Sequence, residues 1–308
     1  MILPGKAIHG IIRLMTQKKL DHSRSFSSRG STSRASRGRG NRGRDNMGRG
    51  SKPSGRRQPQ VKTSWDPLAE WYDGWMGQEG SKHHRLVLPT VLELLDLSKG
   101  DRVLDLGCGQ GVLAKSVAQA GAEYVGVDAS ERLIGLAKQR HGDVGQFLIG
   151  DVTKLHYLDE IQPESFEAAI FLLSIADIDD LDKAILAAAN ALKPKGKLII
   201  LMTHPAFRIP RQSGWGYDEP RKLQFRRVEQ YLTPNKIPLK EYPGQQSGVS
   251  MTFHRPLQAY FAAFRENGLV VDDLREISTS EWITPQTRRA QARAVREIPL
   301  FLALRARK

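Results

Sequence analysis

Residues 103–111 read Val-Leu-Asp-Leu-Gly-Cys-Gly-Gln-Gly, an apolar run that passes directly into a glycine-rich segment. The apolar part is typical of a buried β-strand, and residues 112–120 continue with the pattern of a helix. Alternate glycines let the backbone turn tightly and let a ligand lie against it, because no Cβ stands in the way. We therefore predict a strand, a tight turn and a helix, with a ligand at the carboxyl end of the strand.

On both sides of this turn, short apolar runs alternate with segments of helical periodicity. The predicted strands cover residues 102–106, 124–127, 146–149, 168–173, 197–202, 269–277 and 299–305, and the predicted helices 112–120, 131–140, 181–192 and 256–267. Such alternation, with almost continuously apolar strands, is typical of a parallel sheet covered by helices on both faces. We predict an α/β fold with seven strands in one mostly parallel sheet.

Acidic residues follow successive strands of this predicted sheet. Asp128 ends the second strand, and Asp151 comes directly after the third. A carboxylate at the first place can accept hydrogen bonds from both ribose hydroxyls of an adenosine ligand, and one at the second from an adenine amino group. Because the carboxyl ends of parallel strands meet at one edge, the glycine turn and both acids are expected in a single crevice.

These segments resemble the motifs of class I S-adenosylmethionine (SAM)-dependent methyltransferases, in the broad group that includes enzymes of ubiquinone and menaquinone biosynthesis. The similar segments are residues 105–111, 125–128, 150–151, 166–174 and 192–198. The resemblance extends over residues 65–306 and implies a Rossmann-like fold with SAM as the cofactor. A nicotinamide-dependent dehydrogenase is disfavoured, because its glycines are usually spaced Gly-x-Gly-x-x-Gly.

The resemblance also implies which residues hold the cofactor. Loop 107–111 would lie against the methionine part of SAM, Asp128 against the ribose and Asp151 against the adenine. Tyr72 lies in a segment similar to the part of the family that folds over bound SAM, although helix packing explains an aromatic residue there equally well. The predicted cofactor-binding residues are Asp105, Gly107, Gly109, Gly111, Asp128, Asp151, Tyr72 and Ser174.

About fifty residues, 204–254, separate the fifth strand from the next helix, which is far longer than a usual connection. We interpret this insertion as a lid that carries the site for the methyl acceptor. His204 and His254 are the candidate catalytic bases, because histidine exchanges protons near neutral pH, and a hydrogen-bonded structural histidine is the alternative for each. The candidate acceptor-binding residues are Arg208, Arg211, Trp215 and Arg255.

Several chemistries are disfavoured by the residues present. Cys108 is the single cysteine and lies in the predicted cofactor loop, so methylation of pyrimidine carbon-5 has no cysteine nucleophile. Residues 173–177 lack the Asn/Asp-Pro-Pro-aromatic motif of enzymes that methylate exocyclic base amines. Asp177, Asp179 and Asp180 precede a predicted helix and are interpreted as caps, so no metal site is predicted.

The excess of positive charge is confined to the first 62 residues. Residues 1–62 hold 16 Lys and Arg against two acids, whereas the remainder holds 31 bases and 31 acids. This Arg-, Gly- and Ser-rich tail cannot bury enough apolar surface to order itself, so we predict disorder over 1–62 and a methyltransferase domain over 63–308. The tail is interpreted as a solvated extension, a contact to RNA through residues 21–62, or an organelle transit peptide.

The sequence also predicts a cellular location and a function, each with alternatives. No apolar run approaches the ~18–20 residues that span a bilayer. A cytoplasmic location is predicted, or a mitochondrial or plastid one if the tail is a transit peptide; Met1 and Met15 are both candidate starts. The predicted function is SAM-dependent methyl transfer to O, N or C of a small molecule. The alternatives are an RNA- or ribosome-directed methyltransferase tethered by the tail, and a non-catalytic assembly factor that retains the fold.

Overall fold

The computed structural model of the chain describes residues 65–76, 81–238 and 250–308. The predicted disorder over 1–62 lies outside these described residues. The helices are α1 Ala69–Met76, α2 Lys82–Leu95, α3 Ala114–Gln119, α4 Glu131–His141, α5 Leu181–Ala191, α6 Leu257–Glu266 and α7 Arg289–Glu297. The strands are β1 Arg102–Leu106, β2 Glu123–Asp128, β3 Gln146–Ile149, β4 Phe166–Leu172, β5 Leu192–Thr203, β6 Ser213–Asp218, β7 Leu223–Val228, β8 Asn235–Pro238, β9 Met251–His254, β10 Val270–Ile277 and β11 Phe301–Arg307.

The main sheet has seven strands in the order β10-β11-β5-β4-β1-β2-β3. Strands β1 to β5 run parallel to one another, whereas β11 is antiparallel to both of its neighbours, β5 and β10. The order reverses at β1 and β4, and this is where open α/β sheets open a crevice for ligands. The predicted seven-stranded, mostly parallel α/β fold is confirmed.

Hydrophobic layers cover both faces of the sheet. Alternate residues of each central strand point to opposite faces, so Leu104 packs with α5 and α6 while its neighbour Val103 packs with α2, α3 and α4. Each central strand is therefore buried on both sides, which explains its almost continuous apolar sequence. Ser130 and Asp180 cap α4 and α5, since their side chains accept from the backbone N–H groups of Leu133 and Lys183.

The insertion after β5 forms two small antiparallel pairs. Strands β6 and β7 make one hairpin, and β8 pairs with β9. Strand β9 lies against the 3₁₀ turn Ile175–Asp177, which directly follows β4. The insertion therefore covers the carboxyl edge of the sheet on the β4–β5 side. None of the helices in the described part of the chain is both long and apolar enough to cross a bilayer.

Candidate functional site

The glycine loop after β1 is shaped by close packing. Gly107 and Gly111 have φ angles of +76° and +77°, in the left-handed region. A Cβ at Gly107 would lie 2.5 Å from the Cβ of Ser174, and one at Gly111 would lie 2.6 Å from the Phe147 ring. Gly109 also has a positive φ, of +56°, but a Cβ there would meet only the Tyr72 ring, at 3.7 Å. The loop thus turns its middle glycine toward the crevice.

Asp128, at the end of β2, is held beside this loop. Its Oδ2 accepts a hydrogen bond from the Gly109 N–H at 2.9 Å, and its Oδ1 accepts from the Ser130 N–H at 2.8 Å. Burial raises the pKa of this carboxyl, and the two backbone donors partly oppose the increase. The sequence analysis expects the loop and Asp128 in one crevice, and the two are in direct contact. Each carboxylate oxygen retains a further lone pair.

Asp105, on β1, lies directly beneath the loop and is fully buried. Its Oδ2 accepts from the Tyr124 hydroxyl at 2.7 Å, whereas its Oδ1 has no hydrogen-bond donor among the described residues. The pKa of Asp105 is raised to about 7. Burial is the main cause and the nearby Asp128 adds to the increase, whereas the hydrogen bond from Tyr124 opposes it. A buried acceptor without a donor is unfavourable, so this oxygen favours a ligand that brings a donor or a positive charge.

Asp151 follows β3 and is oriented by its own turn. Its Oδ1 accepts from the backbone N–H and the hydroxyl of Thr153, and its Oδ2 forms an ion pair with Lys154 at 2.8 Å. Burial alone would raise its pKa, but the bonds from Lys154 and Thr153 outweigh it and lower the pKa. The carboxyl stays partly exposed at the rim of the crevice.

Helix α1 is fastened over the opposite rim of the crevice. Arg140 of α4 donates to both carboxylate oxygens of Asp73, at 2.5 and 2.8 Å, and also to Gln110 in the loop at 2.9 Å. These contacts hold Tyr72 above Gly109. Burial raises the pKa of Tyr72, and the carboxyls of Asp128 and Asp177 raise it further. Tyr72 is therefore a neutral, amphipathic wall of the crevice.

The turn after β4 brings in a carboxyl that the sequence analysis interpreted only as a helix cap. Asp180 does cap α5, but Asp177 faces the crevice near Tyr72 and Asp128. The pKa of Asp177 is raised to about 7. Burial is the main cause; a hydrogen bond from Thr252 opposes the increase, and the charge of Asp128 adds to it. The sequence signal was its position, since it is the first acid after the carboxyl end of a central strand.

The predicted Ser174 lies at the start of the same turn. Its hydroxyl donates to the Leu106 carbonyl at 2.5 Å and its Cβ packs against Gly107. It therefore joins the ends of β1 and β4 beneath the crevice.

Both candidate histidines have structural hydrogen bonds. The His204 ring contacts Glu276 Oε1 through Nε2 at 2.9 Å, and its Nδ1 accepts from the Ala206 N–H at 3.2 Å. His254 Nε2 lies 2.7 Å from the Tyr231 carbonyl. Burial lowers the pKa of each ring. Both are nearly inaccessible to solvent, and each ring has a partner that accounts for its orientation.

The predicted acceptor-binding residues separate into different places. Arg255 is buried and donates to the carbonyls of Ile178 and Asp179, so it fastens β9 to the turn after β4. Arg211 is exposed and donates to the Pro238 carbonyl at 3.3 Å.

Arg208 and Trp215 come together with a residue that the sequence analysis missed, Arg226. The guanidinium carbons of Arg208 and Arg226 lie 5.1 and 5.3 Å from the centroid of the Trp215 ring. The cross-strand register of the β6–β7 hairpin places Arg226 opposite Trp215, and the sequence alone does not reveal that pairing.

Comparison with known proteins finds similarity to methyltransferases. Residues 104–200 match the methyltransferase domain family. Demethylmenaquinone methyltransferase of Paenarthrobacter aurescens is 29% identical over 157 residues, covering 51% of this chain and 60% of that protein. Ubiquinone biosynthesis O-methyltransferase of Dechloromonas aromatica is 34% identical over 139 residues, covering 44% and 56%. The chain thus spans less than two thirds of the length of these relatives.

Solved structures show the same fold. A SAM-dependent methyltransferase from Mesorhizobium loti superposes with a TM-score of 0.61 at 24% identity, covering 75% of this chain and all of that one. A second structure, described as a putative enzyme of the same type from Listeria monocytogenes, gives a TM-score of 0.59 at 22% identity, covering 73% and 98%.

The chemistry of the crevice fits SAM. The loop offers a ligand backbone rather than side chains, Asp128 has lone pairs for hydroxyl donors, and the unpartnered Oδ1 of Asp105 suits a site for a cationic ligand. SAM carries ribose hydroxyls and positive charge and has no phosphate. Residues 104–200 thus belong to the methyltransferase domain family, and the described residues have the fold of SAM-dependent methyltransferases.

Proposed function

We propose that this protein transfers a methyl group from SAM to a small-molecule acceptor. The observation that carries the proposal is the crevice in which Gly109, Asp128 and Tyr72 meet above the buried Asp105. When bound, SAM supplies an electrophilic methyl group on a sulfonium. The protein's own part is to hold the two reactants in line, which can provide much of the rate acceleration.

Roles for the cofactor residues follow from their positions. Loop 107–111 would lie against the methionine part, and Asp128 would accept from the ribose hydroxyls, for which its backbone contacts already orient it. Asp151 would meet the adenine at the rim. Tyr72 would cover the cofactor from the side of α1. Ser174 would support the loop rather than contact SAM, because its hydroxyl is engaged with the Leu106 carbonyl.

The acceptor would enter from the β4–β5 side, beneath the insertion. Asp177 lies there within reach of Thr252 and close to Tyr72, and no ion pair with it is found among the described residues. An acceptor O–H or N–H must lose its proton as the methyl group arrives, and a carboxylate with a pKa near neutrality can take it. We therefore assign the base role to Asp177 in preference to His204 and His254, whose rings are held by structural partners.

A hydroxylated or quinol-like ring is the acceptor class that the relatives support. Their names concern demethylmenaquinone and the O-methylation steps of ubiquinone biosynthesis. The RNA-directed alternative depends on residues 1–62, which lie outside the described part of the chain, and it stays a prediction. The assembly-factor alternative also stays a prediction, which a complete lack of SAM binding would favour.

Calorimetric titration of SAM and S-adenosylhomocysteine tests the cofactor assignment. We expect micromolar binding by the full chain and by a chain that lacks residues 1–62. Asp128→Ala should weaken SAM binding by about 1–3 kcal/mol, since an acceptor for two hydroxyls is lost. Arg227→Gln is a control with a surface ion pair to Glu229, and it should bind like the wild type. Absence of binding to the full chain contradicts the proposal.

Transfer itself is tested with SAM that carries a labelled methyl group. The full chain is incubated with simple phenols, catechols and hydroxybenzoates, and label is sought in the organic extract. Incorporation that Asp177→Asn lowers while SAM affinity is unchanged supports the base role. Incorporation into total RNA but into no phenol would favour the RNA-directed alternative.

A further inference from the structure

The β6–β7 hairpin holds two arginine side chains on one tryptophan. Arg226 Nε donates to the Phe207 carbonyl at 2.6 Å, and one of its terminal nitrogens donates to the Ser213 hydroxyl at 2.8 Å. Arg208 Nε donates to the Pro299 carbonyl at 3.3 Å. Both guanidinium groups lie over the Trp215 ring. Backbone and side-chain acceptors thus hold two cations against one aromatic ring.

Within the described part of the chain, no carboxylate balances these two charges. Neither arginine forms an ion pair within the described residues, and Arg208 is only 8% exposed. Burial and, to a smaller extent, the charge of Arg226 lower the pKa of Arg208 to about 9, and burial lowers the pKa of Arg226 to about 10. Buried charges are normally paired, because removing an ion from water is costly. A site that keeps two unpaired guanidinium groups is therefore suited to an anion.

Donors remain for such an anion. The Nε bond to Pro299 is the only hydrogen bond of Arg208 within the described residues, which leaves its terminal nitrogens without a protein acceptor. A guanidinium presents these nitrogens as a planar fork that matches the two oxygens of a carboxylate or phosphate. Arg208 follows β5 at its carboxyl end, so the pair lies at the same edge of the sheet as the glycine loop.

We propose that Arg208, Trp215 and Arg226 form an oxyanion-binding site that receives a carboxylate or phosphate group of the methyl acceptor. The role of the anion as part of the acceptor rests on the proposed function; the presence of an oxyanion site does not. The acceptor would be anchored by its anionic end beneath the hairpin, while its reacting atom points toward Tyr72 and Asp177.

Titration without SAM tests the site directly. Sodium benzoate and inorganic phosphate are added separately to the full chain, and binding is followed by calorimetry and by the change in tryptophan fluorescence, with sodium chloride at equal ionic strength as the reference. We expect at least one of the two anions to bind saturably. Arg226→Gln and Arg208→Gln should each weaken that binding about tenfold, since each removes one charged partner. Arg227→Gln, on the neighbouring position of β7, should bind like the wild type.

The anion that binds identifies the chemical group that the site recognises. Binding of benzoate alone identifies a carboxylate site, and binding of phosphate alone identifies a phosphate site. A wild-type chain that binds neither anion above the chloride reference overturns the proposal, as does equal binding by Arg226→Gln. Thermal unfolding without anion shows whether each variant is folded, and Arg226→Lys provides a second variant that keeps the charge but loses the fork. SAM affinity, measured in parallel, should be unchanged in all four variants. A wild-type chain that binds no SAM would instead count against the proposed function.

Discussion

Asp128 and Asp177 are neighbouring carboxyls whose surroundings differ. Asp128 accepts from two backbone N–H groups, which favour its charged form and fix its direction. Asp177 accepts a hydrogen bond from the Thr252 side chain and is close to the negative charge of Asp128. Environments that separate the protonation behaviour of two acids are typical of sites where one acid binds and the other exchanges protons.

The raised pKa of Asp177 predicts how its replacement changes stability with pH. In the folded state the carboxyl titrates at about 7, and in the unfolded chain near 3.8. Between these values the folded state holds the proton and the unfolded state does not, so this group's contribution to stability falls as pH rises through that window. We therefore compare the unfolding free energy of Asp177→Asn with that of the wild type. The difference should favour the variant more at about pH 8 than at about pH 5. Urea denaturation at both pH values measures the difference.

A constant difference between the two proteins across this pH range would show that Asp177 is not protonated in the folded state. Asp180→Asn is the matched control. Its carboxyl is exposed and its pKa is lowered by Lys183, so its replacement should give no such increase above neutrality.

The glycines of the loop are predicted to tolerate a methyl group unequally. Gly107→Ala combines a left-handed φ with a Cβ placed 2.5 Å from Ser174, so we expect a loss of about 2–4 kcal/mol of unfolding free energy. Gly109→Ala carries a left-handed φ but meets only the Tyr72 ring at 3.7 Å, and should lose about 1–2 kcal/mol. Denaturant titration of both variants gives the comparison, and equal losses would contradict the packing argument.

At the scale of elements, helix α1 is predicted to be held chiefly by the ion pair of Asp73 with Arg140, since its other ion pair, Glu70 with Arg132, is long and exposed. The Asp73–Arg140 contact is bidentate, and both side chains are about three-quarters buried. A double-mutant cycle with Asp73→Ala and Arg140→Ala should give a coupling of about 1 kcal/mol, above most surface pairs because the geometry is bidentate. Hydrogen exchange over residues 69–76 should become faster in each single variant, while exchange in β4 stays unchanged. Additive effects would show that α1 is held by other contacts.

Most elements were predictable because their periodicity is local, and the departures have identifiable causes. Strand β3 has the predicted bounds, 146–149. Strand β5 begins at Leu192 rather than 197, because Leu192 already pairs with Phe166 of β4 directly after α5. An irregular stretch that includes the positive φ of Lys195 then precedes the regular pairing that starts at Lys197. The pairing of His204 with Glu276 spans 72 residues, and that of Trp215 with Arg226 depends on hairpin register. Contacts of this kind are set by tertiary structure, so no local pattern reports them.

For the whole molecule, the separation of charge leads to a prediction about the first 62 residues. They carry the entire net charge of +14, while the rest of the chain is balanced. Binding of single-stranded RNA, measured by fluorescence anisotropy, should therefore disappear when residues 1–62 are deleted and should weaken steeply with salt in the full chain. SAM affinity should be the same in both. RNA binding that survives the deletion would place the contact on the folded domain.

The antiparallel strand β11 has a consequence for the order in which the protein can fold. It lies between β5 and β10 and is the link that joins β10 to the rest of the sheet. On the ribosome, residues 301–307 emerge after the other strands of the described sheet, so the apolar edge of β5 stays open while residues 204–300 are made. An open edge of this kind pairs readily with other chains. A polypeptide that ends before residue 300 is therefore expected to aggregate more readily than the full chain.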